Sequence, residues 1–131
     1  MISIQEYKGS KSVKTLILKL FESRQVAHNV HLQTKSYALH KALNSYYEDI
    51  LELIDSYIET YQGQYGIVTG YEKIEITPLS EDKIEGYLKD CAEIFAMARD
   101  SMKDSDSHLK NIMDEIIAVV YRTLYKVRFL K

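Results

Sequence analysis

Residues 28–40 read His28-Asn29-Val30-His31-Leu32-Gln33-Thr34-Lys35-Ser36-Tyr37-Ala38-Leu39-His40, and this stretch decides how the chain is arranged. Before it, Val13, Leu16, Ile17, Leu20, Ala27 and Val30 recur at helical spacing, which predicts a helix from about 11 to 33. After it, Leu43, Tyr47, Ile50, Ile54, Ile58 and Tyr61 form a second stripe, which predicts a helix from about 37 to 62. Thr34 to Ser36 are left as a short turn, so the two helices are antiparallel neighbours. On a wheel of about 100° per residue the inner face of the first helix is centred close to His31, whereas His28 lies to one side. His40 joins the edge of the second stripe.

Working outward, residues 63–80 hold Gly63, Gly66, Gly70 and the only proline, Pro78, with Lys73 to Thr77 alternating as a short strand would. A connection this long suits a crossover between two parallel helices better than a tight hairpin. Ser80, Glu81 and Asp82 make a good start for a third helix, from about 80 to 100, which carries Ile84, Tyr87, Leu88, Cys91, Phe95 and Met97. A fourth runs from about 106 to 129 with Leu109, Ile112, Met113, Ile116, Val119, Val120, Leu124 and Val127 inside. The expectation is an all-α, four-helix bundle with a long crossover between helices 2 and 3. No repeat, low-complexity tract or charge block divides it, so residues 1–131 read as one domain.

The chain has 131 residues, enough to bury a core without staples. One cysteine, Cys91, excludes an internal disulfide and a cysteine-based zinc site, and suits a reducing, cytoplasmic setting. The first nine residues lack the apolar run of a secretory leader, and no stretch approaches the ~18 apolar residues of a membrane span. A net charge of -2 gives no general attraction for nucleic acid, and the small cluster Lys8, Lys11, Lys14 gives DNA binding only weak support. Tyrosine dominates the aromatics, 11 against three phenylalanines and no tryptophan, which points to core edges and subunit interfaces as well as plain core filling.

Three of the four histidines lie within residues 28–40, and Glu48, Glu52, Asp55 and Glu59 follow in steps of four, three and four on the second helix. Imidazole and carboxylate together suit iron, zinc or manganese, since nitrogen and hard oxygen donors satisfy borderline divalent ions. The plain alternative is a solvated acidic face beside core histidines. No histidine has Glu three residues before it, so the usual Glu-x-x-His site inside one bundle is excluded. His-Glu-x-x-His, a phosphate-cradling glycine loop and Gly-x-Ser-x-Gly are also missing, which leaves hydrolase and nucleotide readings without support.

The segment His31-Leu32-Gln33-Thr34-Lys35-Ser36, with His40 after a short loop, resembles the Dps-like miniferritins, where His-Trp-Asn-Val-Lys-Gly precedes a second His. In that family an Asp fifteen residues after the second His and a Glu four further on complete the ferroxidase ligands, and Asp55 and Glu59 occupy those positions. It is also similar to short ferritin-like proteins of tailed bacteriophages that share His-x-Gln-Thr-Lys-Ser-Tyr. The resemblance covers residues 13–62 and implies a ferritin-like bundle, with His31 and His40 from one subunit and Asp55 and Glu59 from its dimer mate holding iron. Counting back from His40 by the family spacing reaches His28 instead, so His28 and His31 both stand as ligand candidates, with His31 favoured by its inward position and neighbouring motif. The implied activity is Fe(II) capture and oxidation by peroxide or oxygen in a homo-oligomer, from a dimer up to a dodecameric cage, in the host cytoplasm for a phage-encoded chain. Leu32 replaces the family's tryptophan, and the connector has no convincing short helix. The competing expectation is a catalytically inert bundle used for assembly or DNA association in a phage.

Overall fold

The computed structural model describes all 131 residues, and they form five helices and no strand. They are α1 (Ile4–Gly9), α2 (Val13–Gln33), α3 (Tyr37–Tyr65), α4 (Ile84–Ser101) and α5 (Ser107–Phe129). Single 3₁₀ turns, Glu81–Lys83 and Asp104–Asp106, precede α4 and α5. Serine caps the first three helices: Ser3, Ser12 and Ser36 accept from the amides of Glu6, Thr15 and Leu39 at 3.1, 3.1 and 3.2 Å. Each satisfies one of the donors that a helix start leaves without an intrahelical partner. Thr34 fixes the α2–α3 turn, because its hydroxyl accepts from the Ser36 amide at 3.1 Å and donates to Glu81.

Four long helices surround one core, α2 against α3 and α4, and α5 against α3 and α4. Leu20, Leu43, Ile50, Ile54, Leu88, Phe95, Met113, Ile116 and Val120 are sealed within it. Short turns make α2–α3 and α4–α5 neighbours in space. The α3–α4 connector instead travels the length of α2. Gly70 lies against Lys14, Tyr71 packs edge-on to Phe21 at 5.8 Å, and residues 76–79 lie beside Val26, Val30 and Gln33. At its end Glu81 meets Thr34, whereas the end of α3 meets the start of α5 through Gln64 and Asp106. So α4 begins at the same end of the molecule as α3.

Four expectations need correction. Lys73 to Thr77 form no strand, because the connector lies along a helix and has no neighbouring strand to complete a ladder. The short α1 escaped notice, since six residues are too few to show a period; it is held by its cap and by Tyr7, which is buried. Helix α3 continues through Gly63 to Tyr65, where Gly66, at φ 103°, takes the left-handed conformation that ends it. The deepest tyrosines of α3 are Tyr46 and Tyr57, while Tyr47, Ile58 and Tyr61 sit half-buried beside them.

Candidate functional site

The α2–α3 turn brings the three predicted histidines into one column. His31 and His40 stack with ring centroids 3.8 Å apart, His28 lies 5.9 Å from His31, and Tyr47 stacks on His28 at 4.0 Å. Tyr37 extends the column beyond His40, and the Arg24 guanidinium closes the other end 3.8 Å above Tyr47 while donating to the Tyr47 carbonyl at 3.1 Å. A guanidinium over a phenol face gains from the ring's negative centre, which helps hold the column in register.

His31 and His40 are clamped reciprocally. The Nδ1 of His31 is 2.8 Å from the His40 carbonyl, and the Nδ1 of His40 is 2.9 Å from the His31 carbonyl. A carbonyl oxygen only accepts, so each Nδ1 carries the proton, and in the neutral ring the lone pair sits on Nε2. Ligating histidines are commonly oriented in this way, with the non-ligating ring nitrogen donating to a backbone carbonyl. His31 is 8 % exposed, as its inward wheel position predicts, and His40 and His28 are half-buried. His28 makes no such clamp and is positioned by stacking.

Asp55 and Glu59 lie elsewhere. They are exposed on the outer face of α3 and line an open 530 Å³ groove with Glu48, Leu51, Glu52, Ser56 and Thr60. Fifteen residues of helix separate Asp55 from His40, about 22 Å along the axis. None of these four acids makes an ion pair. Within one chain no group of three or more His, Cys, Asp or Glu side chains comes together to hold a metal. One chain therefore keeps the histidine pair and the acidic ridge apart.

A third polar cluster, of residues that the hydrophobic period does not pick out, lies in the core. Lys19 and Glu22, 2 % and 1 % exposed, pair at 2.5 Å. Lys19 also donates to the Ile2 carbonyl at 2.7 Å, and Glu22 accepts from the Ile2 amide at 2.7 Å and the Tyr87 hydroxyl at 2.5 Å. Burial raises the Tyr87 hydroxyl well above its usual range, reinforced by Cys91 and Glu22, so it stays protonated and donates. Burial likewise pushes the Cys91 thiol up to about 12, which leaves it an unreactive core thiol rather than a nucleophile. Ser23 links to the sealed Tyr46 hydroxyl at 2.9 Å. Every sealed polar side-chain atom in the protein has a partner, so the cluster is closed and ties the N-terminal segment to the core. One signal was available: Lys19 and Ser23 fall between Leu16, Leu20 and Val26 on the apolar face of α2.

No helix is long and apolar enough to cross a membrane. No solved structure matches the chain. A relative, described as an uncharacterized 14.6 kDa protein in the mobD-ri intergenic region of Enterobacteria phage T4, is 28% identical over 121 residues, covering 92% of this chain and 91% of its own. The model of a family of unknown function, DUF5856, matches residues 31–127, a span that begins at His31 and takes in the histidine pair, the acidic ridge and all three later helices, and the chain belongs to that family.

Proposed function

We propose that the chain is a ferritin-like four-helix bundle protein that binds Fe(II) between two copies of itself and oxidises it, in the manner of a Dps-like ferroxidase. The observation that carries this reading is the reciprocal clamp of His31 and His40, which leaves both Nε2 atoms without a protein partner. The connector running along α2, with α3 and α4 starting at one end, supports this reading, since such bundles join two helices by a long crossover. Asp55 and Glu59 of a second copy supply the oxygen donors, which explains why each half-site is incomplete alone. Iron is the substrate; zinc and manganese suit the same donors and are the alternative ions. His28 is the reserve ligand. The phage T4 relative is consistent with a phage-encoded protein working in the host cytoplasm.

In this reading the protein's own part is positional. The carbonyl clamps fix ring orientation and tautomer before iron arrives, and the incomplete ligand set leaves coordination positions for peroxide or oxygen. A second reading, an inert module for assembly, is favoured by Tyr121, Tyr125 and Phe129, which recur on one face of α5 and are all exposed. Association with DNA would belong to that reading.

Calorimetric titration of metal-free protein with Fe(II) under nitrogen separates the two. The ferroxidase reading expects saturation at a fixed number of ions per dimer, and at least a tenfold loss of affinity in His31→Ala and in His40→Ala. Equal affinity in His28→Ala, His31→Ala and His40→Ala would leave these as packing histidines and the assembly reading standing. Zn(II) and Mn(II) titrations identify the preferred ion.

A further inference from the structure

At the end of the molecule opposite the histidines, α1, α2, α3 and the α4–α5 region border a 280 Å³ cleft whose lining includes four tyrosines. Tyr57, Tyr61 and Tyr65 follow one another up one face of α3, with centroid separations of 6.4 and 4.9 Å, and Tyr7 of α1 completes the wall. Tyr7 and Tyr57 are 2 % and 3 % exposed. The Tyr46, Tyr65 and Tyr87 hydroxyls have side-chain partners, whereas those of Tyr7 and Tyr57 have none. Because no polar side-chain atom is both sealed and unpartnered, neither hydroxyl is fully sealed, and both residues line the cleft.

The remaining polar groups set the sign of the ligand. Asp106 is the one carboxylate in the cleft, and both its oxygens are taken, by the Gln64 amide at 2.8 Å and by the Tyr65 hydroxyl. Lys11 and Lys103 are exposed at the rim and form no ion pair; Lys103 lies 5.8 Å from the Tyr65 ring. Burial raises both Tyr7 and Tyr57, so their phenols are neutral donors. What the cleft offers is the free hydroxyls of Tyr7, Tyr57 and Tyr61 and two lysines against one engaged carboxylate, with apolar walls between them.

We infer that this cleft binds a small aromatic anion, a flat body of one or two rings carrying a carboxylate or phosphate, with Tyr7, Tyr57, Lys11 and Lys103 on the anionic group. The volume falls just under the usual range for small-molecule sites, which suits a body of one or two rings. The free donors require an acceptor-rich partner, and the tyrosine and aliphatic walls favour a ring.

Calorimetry of the full chain with naphthoate, naphthyl phosphate, naphthyl methanol and inorganic phosphate tests this. One or both aromatic anions should bind at one per chain, and the tighter of the two identifies the head group. Tyr57→Phe, which keeps the ring, should weaken that binding by about tenfold or more, the usual loss for a hydrogen bond to a charged group. Lys11→Ala with Lys103→Ala, on the exposed rim, should weaken it further and reduce its salt dependence. Melting curves show whether each variant is folded, and the rim variants still decide the question should Tyr57→Phe not fold. Failure of both aromatic anions to bind at millimolar concentration, equal binding of naphthyl methanol or inorganic phosphate, or unchanged affinity in the folded variants would overturn the inference.

Discussion

Two sets of charges in this protein are arranged in opposite ways. Lys19 and Glu22 of α2 are sealed in the core with every hydrogen-bonding atom engaged, whereas Glu48, Glu52, Asp55 and Glu59 of α3 stand in solvent with no cation beside them. Taking two ions out of water is repaid only when the geometry and the surrounding hydrogen bonds are nearly complete. The first set meets that requirement through Ile2 and Tyr87 and makes the N-terminal segment part of the core. The second repels itself slightly and is held in place by nothing but its helix. A stability role thus belongs to the charges that the chain hides, and the proposed site draws on those it leaves unpaired.

The largest effect should come from breaking the buried pair. Glu22→Ala leaves a buried ammonium without its counter-charge and removes the acceptor of Tyr87, so a loss of about 3–5 kcal/mol is expected. That is a large part of the ~5–15 kcal/mol that a domain has in total. Urea unfolding followed by circular dichroism measures it. Lys19→Met with Glu22→Leu, which removes both charges and keeps the volume apolar, should recover most of the loss. A double variant as unstable as Glu22→Ala would mean that the pair's hydrogen bonds to Ile2, rather than the orphaned charge, carry the effect.

This contrast also explains what could be read from the sequence. Helical period sees apolar side chains, so all four long helices were legible to within a few residues, and the position of His31 on the inner arc of α2 followed from the same arithmetic. The reciprocal histidine clamp was only half legible: the turn announces that His31 and His40 are close, but two side chain-to-carbonyl bonds have no signature in residue order. Lys19 and Glu22 were passed over because charged residues count as outward by default. The cleft was foreshadowed only by the excess of tyrosine, since Tyr7 reaches it from a helix too short to show a period.

A smaller effect, confined to acid, should come from Asp106. Hydrogen bonds from Tyr65, then from Gln64, hold its carboxyl below the usual carboxylate range. A carboxylate depressed in the folded state contributes stability above its ordinary value of 3.8, and that contribution is lost as pH falls through the folded value. Asp106→Asn should therefore be less stable than the natural chain at neutral pH, with the gap closing as pH drops below about 4. Melting temperatures from about pH 7 to pH 2.5 would show it. A gap constant across that range would place the effect in side-chain shape rather than charge.

The smallest effect on stability, and the most informative about function, lies on the acidic ridge. Asp55 is three residues from Glu52 and four from Glu59, spacings at which like charges on a helix repel by a few tenths of a kcal/mol per pair. Asp55→Asn with Glu59→Gln removes both repulsions, so the metal-free protein should gain about 0.5 kcal/mol, or roughly 1–3 °C in melting temperature. If the ridge is also the oxygen half of an intersubunit site, the same variant should lose Fe(II) oxidation while becoming slightly more stable. Mixing it with His31→Ala, His40→Ala chains sharpens the point. A heterodimer carries one site missing all its ligands and one with His31, His40, Asp55 and Glu59 intact, so part of the activity should return, whereas neither homodimer alone has a complete site. Partial recovery assigns the acids to a site shared between chains. Mixtures that form heterodimers yet stay inactive would leave the ridge as a solvated face, and the histidine column as the packing of one helical turn.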